Sequence, residues 1–307
     1  MATTVTAPVG NSISLASKYL PFLDEVYKQD SKSAVLDTAN QFVQFTGANA
    51  VNIFNLATVG MGDYSRNAGF VPGDATGSWQ TYTLNTDRGR SYMIDVLDND
   101  ETLGMAFGSL LNTVERQNVI PEVDAFRFAK YATGAAAANK TTETLSTGAG
   151  AVASVEGATV ALDNAEVPYE GRILFVSPHM YSLLKGGITR MVMNGDNNID
   201  FAIEMYNDMR VIRVPQTRFY TSITLAQPSA HDGAGGYTPN GSGINYMIIH
   251  PSAVLQVMKH YVPRIFSPEV NQEADAWKLN MRFAHGAWVL SHKTYGIYVS
   301  SDSTISG

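Results

Sequence analysis

"DRGRSYMIDVLDNDET", residues 87–102, gathers two arginines and a run of acids in a 307-residue chain of which only 16% is charged. Asp95, Asp98, Asp100 and Glu101 can hold a metal or carry acid–base chemistry, or they can end a strand and cap a helix. Alternation puts Tyr92, Ile94 and Val96 on one strand face, with Asp95 beside Met93 and Leu97 on the other. Asp98 and Asp100 stand where a helix N-cap is wanted. Glu101 follows in the first turn, where negative charge gains roughly 0.3–1 kcal/mol. Capping and ion pairing account for three of the four acids, and that reading is preferred to a metal site.

Downstream, Leu103, Phe107, Leu110, Leu111 and Val114 fall on one apolar stripe and predict a long helix over 101–118. Pro121 is expected to break it. "PEVDAFRFAKY" (121–131) then restarts with proline in a first-turn position and acids beside the positive helix end. Upstream, "WQTYTLNTDRGRSYMIDVL" (79–97) reads as one strand and "ANAVNIFNL" (48–56) as another. Between them lies "ATVGMGDYSRNAGFVPGDATGS", glycine-rich and without periodicity. Two strands joined by about twenty irregular residues are unusual inside a compact domain. A hairpin that leaves its own domain and meets a partner surface resolves the difficulty, which is a hint of assembly.

The remaining chain falls into blocks. Residues 1–13 are small and polar and read as a flexible arm. Leu15, Tyr19, Leu23 and Val26 suggest an amphipathic helix over 14–28, despite Pro21. "ATGAAAANKTTETLSTGAG" (132–150) reads as a linker and domain boundary. From 151 to about 250 the pattern is α/β: Val152, Val155, Thr159 and Leu162 mark a helix, and "RILFV" (172–176) a strand buried on both faces. "SPHMYSLLK" (177–185) opens with a serine cap and proline. "MRVIRV" and "INYMIIH" are further strands, separated by a glycine-rich loop at 231–243. In the tail, Trp277, Leu279, Met281 and Phe283 alternate with Lys278, Asn280 and Arg282, the period of a sheet with one wet face.

Composition narrows the function classes. Net charge is −7 with no basic run, which disfavours gripping nucleic acid through phosphates. There is no cysteine, so disulfides, thiolate metal sites and a cysteine nucleophile are out. No apolar stretch approaches the roughly 18 residues a membrane span needs, so no membrane partner is expected. Six scattered histidines (179, 231, 250, 260, 285, 292) show no i, i+4 pair of a zinc helix. "GDNNID" (195–200) starts like a calcium loop but has Phe201 where that loop needs glycine. No phosphate loop, dinucleotide fingerprint or nucleophile elbow is present. No cofactor and no enzyme activity are expected.

In this order the parts resemble the major capsid proteins of tailed bacteriophages, the HK97-fold family. The resemblance is carried by "DYSR" (63–66), "DRGRSYMIDVLDNDET", the long helix, "PEVDAFRFAKY", "VPYEGRILFVSP" (167–178), "IIHPSAV" (248–254) and "YGIYV" (295–299). It implies an α+β fold with an N-arm (1–47), an extended E-loop hairpin (48–100), and a peripheral P-domain. That domain takes its spine helix from 101–147 and its return strands from 255–307, around an axial α/β A-domain (148–254). It also implies self-assembly into hexamers and pentamers of an icosahedral shell around double-stranded DNA. The expected partners are a portal protein, a separate scaffolding protein and a cement or decoration protein. The expected location is the virion, after assembly in the bacterial host cytoplasm.

Some members cross-link their shells through an E-loop lysine, but here no lysine lies between Lys32 and Lys130. Non-covalent contacts are therefore expected to hold the shell. The candidate contact residues are Tyr64, Arg66, Arg88, Arg90, Asp95, Asp98, Asp100 and Glu101. Arg66, Arg88 and Arg90 pair either with acids of a neighbouring subunit or locally with Asp63 or Asp87. Two alternatives remain: an encapsulin-like compartment enclosing a cargo enzyme, and an enzyme centred on the acidic cluster.

Overall fold

A computed structural model describes residues 31–39, 44–45, 50–67, 69–96, 114–188, 203–228 and 235–302. The expected helix over 14–28, residues 101–113 of the expected 101–118 helix, Asp98, Asp100, Glu101 and the 195–200 stretch lie outside these residues.

In chain order the strands are β1 (Gln44–Phe45), β2 (Ala50–Thr58), β3 (Ala75–Thr83), β4 (Thr86–Asp95), β5 (Lys140–Thr142), β6 (Ile173–Val176), β7 (Met205–Tyr206) and β8 (Met209–Arg213). They continue as β9 (Ile223–Leu225), β10 (Tyr237–Pro239), β11 (Ile244–Ile249), β12 (Val254–Tyr261), β13 (Arg264–Phe266), β14 (Ala276–Val289) and β15 (Ile297–Ser301). Among the described residues three α-helices stand between them: α1 (Ile120–Gly134), α2 (Gly148–Asn164) and α3 (Pro178–Gly187).

The larger sheet has the order β5-β15-β11-β6-β8-β7. Its central strands read ILFV and INYMII and every residue of both is buried, as a strand covered on two faces requires. On one face, Val155, Leu162, Met180 and Leu184 of α2 and α3 pack against Leu174, Val176, Tyr246 and Ile248. Ser177 Oγ accepts from the Met180 amide at 3.2 Å and caps α3, the role its sequence suggested. Gly148 and Gly187 let α2 and α3 meet backbone to backbone, since a Cβ on either would enter the other's main chain. On the opposite face, Phe128 of α1 meets Phe175 and Phe219, each with ring centroids 5.2 Å away.

The second sheet is built on the long β14, with β12 and β13 along one edge and β4 along the other. Leu279, Met281 and Phe283 turn inward against Val119, Ile120 and Val123 at the start of α1, while Arg282 stays exposed. The period of two in the tail is thus a sheet with one wet face. α1 completes the apolar core of both sheets.

Three expectations need correction. The stretch 79–97 is two strands: the ladder breaks at Leu84–Asn85, with β3 pairing β2 and β4 pairing β14. Leu84 is buried with Val51, Leu255 and Val257, and that anchor is where the chain changes sheets. Pro121 does not interrupt the helical path. A π-helical turn, Glu115–Val119, runs directly into α1 with Val119 and Ile120 in helical backbone. The wider π turn relieves the clash a proline ring makes with the carbonyl one turn back. Residues 132–150 are not a featureless linker, since they hold the end of α1, β5 and the start of α2. β5 pairs parallel with β15 and closes one edge of the larger sheet.

Candidate functional site

The β2–β3 hairpin has two unlike faces. Its inner face carries Val51 and Tyr82, which pack with Leu255, Val257 and Trp288. Asn55 donates to Gln80 at 2.9 Å, and Ser291 Oγ donates to the same Gln80 oxygen at 2.6 Å, tying the stem to the body. The outer face is apolar and uncovered by the described residues: Phe54 is 50% exposed, Leu56 61% and Trp79 63%. Phe54 pairs in register with Trp79, and its ring lies over Gly77, where a Cβ would collide with it.

Exposure continues to the tip, where Val59, Met61, Tyr64, Phe70 and Val71 are all open to solvent. Tyr64 and Phe70 stack obliquely with centroids 4.9 Å apart. The Ser65–Gly69 bridge beneath them is closed by Gly69 at φ +80°. A patch of this extent marks an interaction surface more often than a bare monomer surface. Tyr64 and Arg66 both sit at this exposed tip.

The root of the hairpin is β4. Arg88, Arg90, Tyr92 and Ile94 share its half-buried face, and Asp87, Met93 and Asp95 its exposed one. Burial raises the Tyr92 hydroxyl's pKa, the nearby Arg90 opposing. Arg88 donates to Glu122 of α1 from two nitrogens, at 2.7 and 3.1 Å, and to the carbonyls of Ala226 and Gly236 at 2.6 and 3.2 Å. Glu122 is a partner the sequence reading did not name, 34 residues away in the same chain. Asp87 pairs instead with Arg282, at 2.6 and 3.0 Å in the open. Arg90 approaches Gly235, and Asp95 stands opposite Ala276 at the end of the ladder. Beside β4 an open cleft of about 600 Å³ runs between Arg88, Arg90, Asn118 and the loop around Gly235.

A second polar centre carried no local signal. Asp124 of α1 is fully buried, and its carboxylate accepts from Ser31 Oγ (2.7 Å), the Lys32 amide (2.9 Å), Ser33 Oγ (2.7 Å) and the Ser33 amide (3.3 Å). Arg218 donates to it at 3.3 Å. Arg127 and Gln256 hold Ser33 from the other side, at 2.8 and 3.2 Å. These partners are more than 90 residues from Asp124 in sequence, so no window around either could have paired them.

His285 on β14 is also fully buried. Phe126 meets it edge-on at 4.8 Å, Phe283 stacks on it at 5.5 Å, and neither ring nitrogen has a hydrogen-bond partner among the described residues. Desolvation first, then the charges of Arg127 and Arg88, push its pKa down to about 3. Among the described residues no group of three or more His, Asp or Glu could hold a metal ion. No described helix is long and apolar enough to cross a membrane.

The projecting hairpin, the long-stranded sheet sharing a helix with a second sheet, and that sheet's flanking helices define an α+β fold of the HK97 type. Solved phage structures, the mature capsid of bacteriophage PhiM1 among them, share this architecture and match the chain over most of its length. A chain from Gordonia phage Cozz is 14% identical, covers 90% of this chain and 87% of its own, and has a TM-score of 0.61. The capsid structure of the cyanophage P-SCSP1u is 12% identical over 88% of this chain and 87% of its own, TM-score 0.58. A virus-like particle from Pyrococcus furiosus is 10% identical over 95% of this chain and its whole length, TM-score 0.53. No family model and no curated protein matches the sequence.

Proposed function

We propose that the protein is a major capsid protein of a tailed bacteriophage, a structural subunit that assembles with copies of itself into an icosahedral shell around double-stranded DNA. The observation that carries this reading is the uncovered apolar face of the hairpin, on a fold shared with phage capsids. A lone two-stranded hairpin is marginal in water, whereas one laid across a neighbour gains a partner for that face. In this role residues 48–100 serve as the E-loop, 1–47 as the N-arm, 101–147 and 255–307 as the P-domain, and 148–254 as the A-domain. Tyr64, Arg66 and Arg90 are contact residues toward neighbouring subunits, with Asp95, Asp98, Asp100 and Glu101 at the hairpin root.

Hexamers and pentamers demand heterologous contacts that close into rings. With no lysine between Lys32 and Lys130 the hairpin contacts are non-covalent. A separate scaffolding protein, a portal and a cement protein complete the set of partners, and the acidic chain suits an inner wall that does not grip DNA. The match to the Pyrococcus furiosus particle supports a second reading, a cellular compartment enclosing an enzyme. Electron microscopy of the purified protein tests both: closed shells tens of nanometres across are expected. Soluble monomers under all conditions would remove both, and co-purification of an enzyme inside the shells would select the second.

A further inference from the structure

The buried carboxylate of Asp124 holds a segment whose position matters beyond the fold. A fully desolvated carboxylate is costly unless donors surround it. Here four of the five donors come from Ser31, Lys32 and Ser33, and the fifth is Arg218 from the loop before β9. Two of the four are main-chain amides, so what is fixed is the path of the backbone as well as two side chains. Ser33 is gripped a second time by Arg127 and Gln256, and Leu36 enters the core three residues on. The carboxylate adds directional bonds at the point where residues 1–30 join the body.

We propose that Asp124 is a clamp on residues 31–33 that fixes where the amino-terminal arm is attached and so, in the shell, positions it for a neighbour. The proposal rests on the shell reading for its purpose, though not for the clamp itself. Because Arg218 and Arg127 share the cluster, residues 31–33 are tied both to α1 and to the 3-10 turn Gln216–Arg218. Asp124 is thus a positioning residue, acting through Ser31, Lys32 and Ser33.

Limited trypsin digestion of the full chain reads the clamp at the Lys32–Ser33 bond, with the exposed Lys185 of α3 as an internal control for general loosening. In Asp124→Ala the Lys32 cut is expected about tenfold faster than in wild type, with Lys185 unchanged, because local opening no longer breaks the cluster. Asp124→Asn, which keeps one acceptor oxygen, should fall between. The same variants examined by electron microscopy should give few shells, or irregular ones.

Equal Lys32 rates in all three proteins would overturn the clamp, as would Lys32 and Lys185 rates rising together. A faster Lys32 cut with shells of wild-type size and yield would overturn the positioning role. If wild type forms no shells, that role falls with the shell reading, and the Lys32 rates still judge the clamp. Should Asp124→Ala fail to fold, the double variant Ser31→Ala/Ser33→Ala removes the arm-side hydroxyls, leaves the Asp124–Arg218 pair in place, and faces the same criteria.

Discussion

Phe54 and Trp79 face one another across the β2–β3 ladder with ring centroids 5.1 Å apart, and each residue is at least half exposed to solvent. An aromatic pair of this kind contributes to a hairpin, but it contributes far more if another surface covers it. Covering roughly 100 Å² of each ring would gain about 2–3 kcal/mol per residue at about 25 cal/mol per Å². The double variant Phe54→Ser/Trp79→Ser is therefore expected to abolish assembly in sedimentation while leaving the subunit's urea midpoint nearly unchanged. A drop in subunit stability as large as the loss of assembly would show that the pair serves the fold instead.

Arg88 and Arg282 form ion pairs of similar length in unlike settings. Arg88→Met takes the guanidinium away from the nearly buried Glu122 carboxylate and from the Ala226 carbonyl, and an uncompensated buried charge costs about 3–5 kcal/mol. Arg282→Met removes a pair that solvent already screens and should leave the denaturation midpoint almost unchanged. Chemical denaturation of the two variants checks the contrast, and equal losses would contradict it.

Acid should destabilise the subunit through His285. Its folded pKa lies near 3, below the ordinary histidine value, so the unfolded chain takes up its proton first as pH falls. Stability from this group is full at neutral pH. It declines as pH drops from about 6.5 toward about 3, by at most about 1.4 kcal/mol per pH unit. His285→Phe, which cannot take up the proton, should flatten the dependence of the urea midpoint over that range. An unchanged slope would assign the acid sensitivity to the carboxylates.

Gly77 tests the local geometry of the hairpin. Gly77→Val puts a branched side chain where the Phe54 ring now rests and must displace that ring. The expected result is impaired assembly with the subunit's thermal midpoint changed by only a few degrees, since both residues are exposed.

Much of this was legible where the signal is short-range. The apolar runs of β6 and β11, the serine–proline start of α3 and the alternation in β14 each occupy a few consecutive residues and mean one thing. The hairpin showed itself through glycines and lost periodicity. The boundary between β3 and β4 did not, because both strands alternate and only the burial of Leu84 against Leu255 and Val257 separates them. The π turn before Pro121 was equally hidden, since proline alone says that a helix is disturbed, not how it recovers. Glu122 for Arg88 and Ser33 for Asp124 depend on how β4, α1 and the 31–33 segment pack, which no spacing rule encodes.

α1 gives Val123 to one sheet and Phe128 to the other, within a turn and a half of helix. Neither sheet can tilt against the other without dragging that helix through both cores. In the shell role proposed above, a chain built this way would act as a stiff tile. In a curved surface tiled by identical copies, the angle between neighbours must then be absorbed at the seams. The β2–β3 hairpin, tied to the body on one face and bare on the other, is the seam this molecule offers.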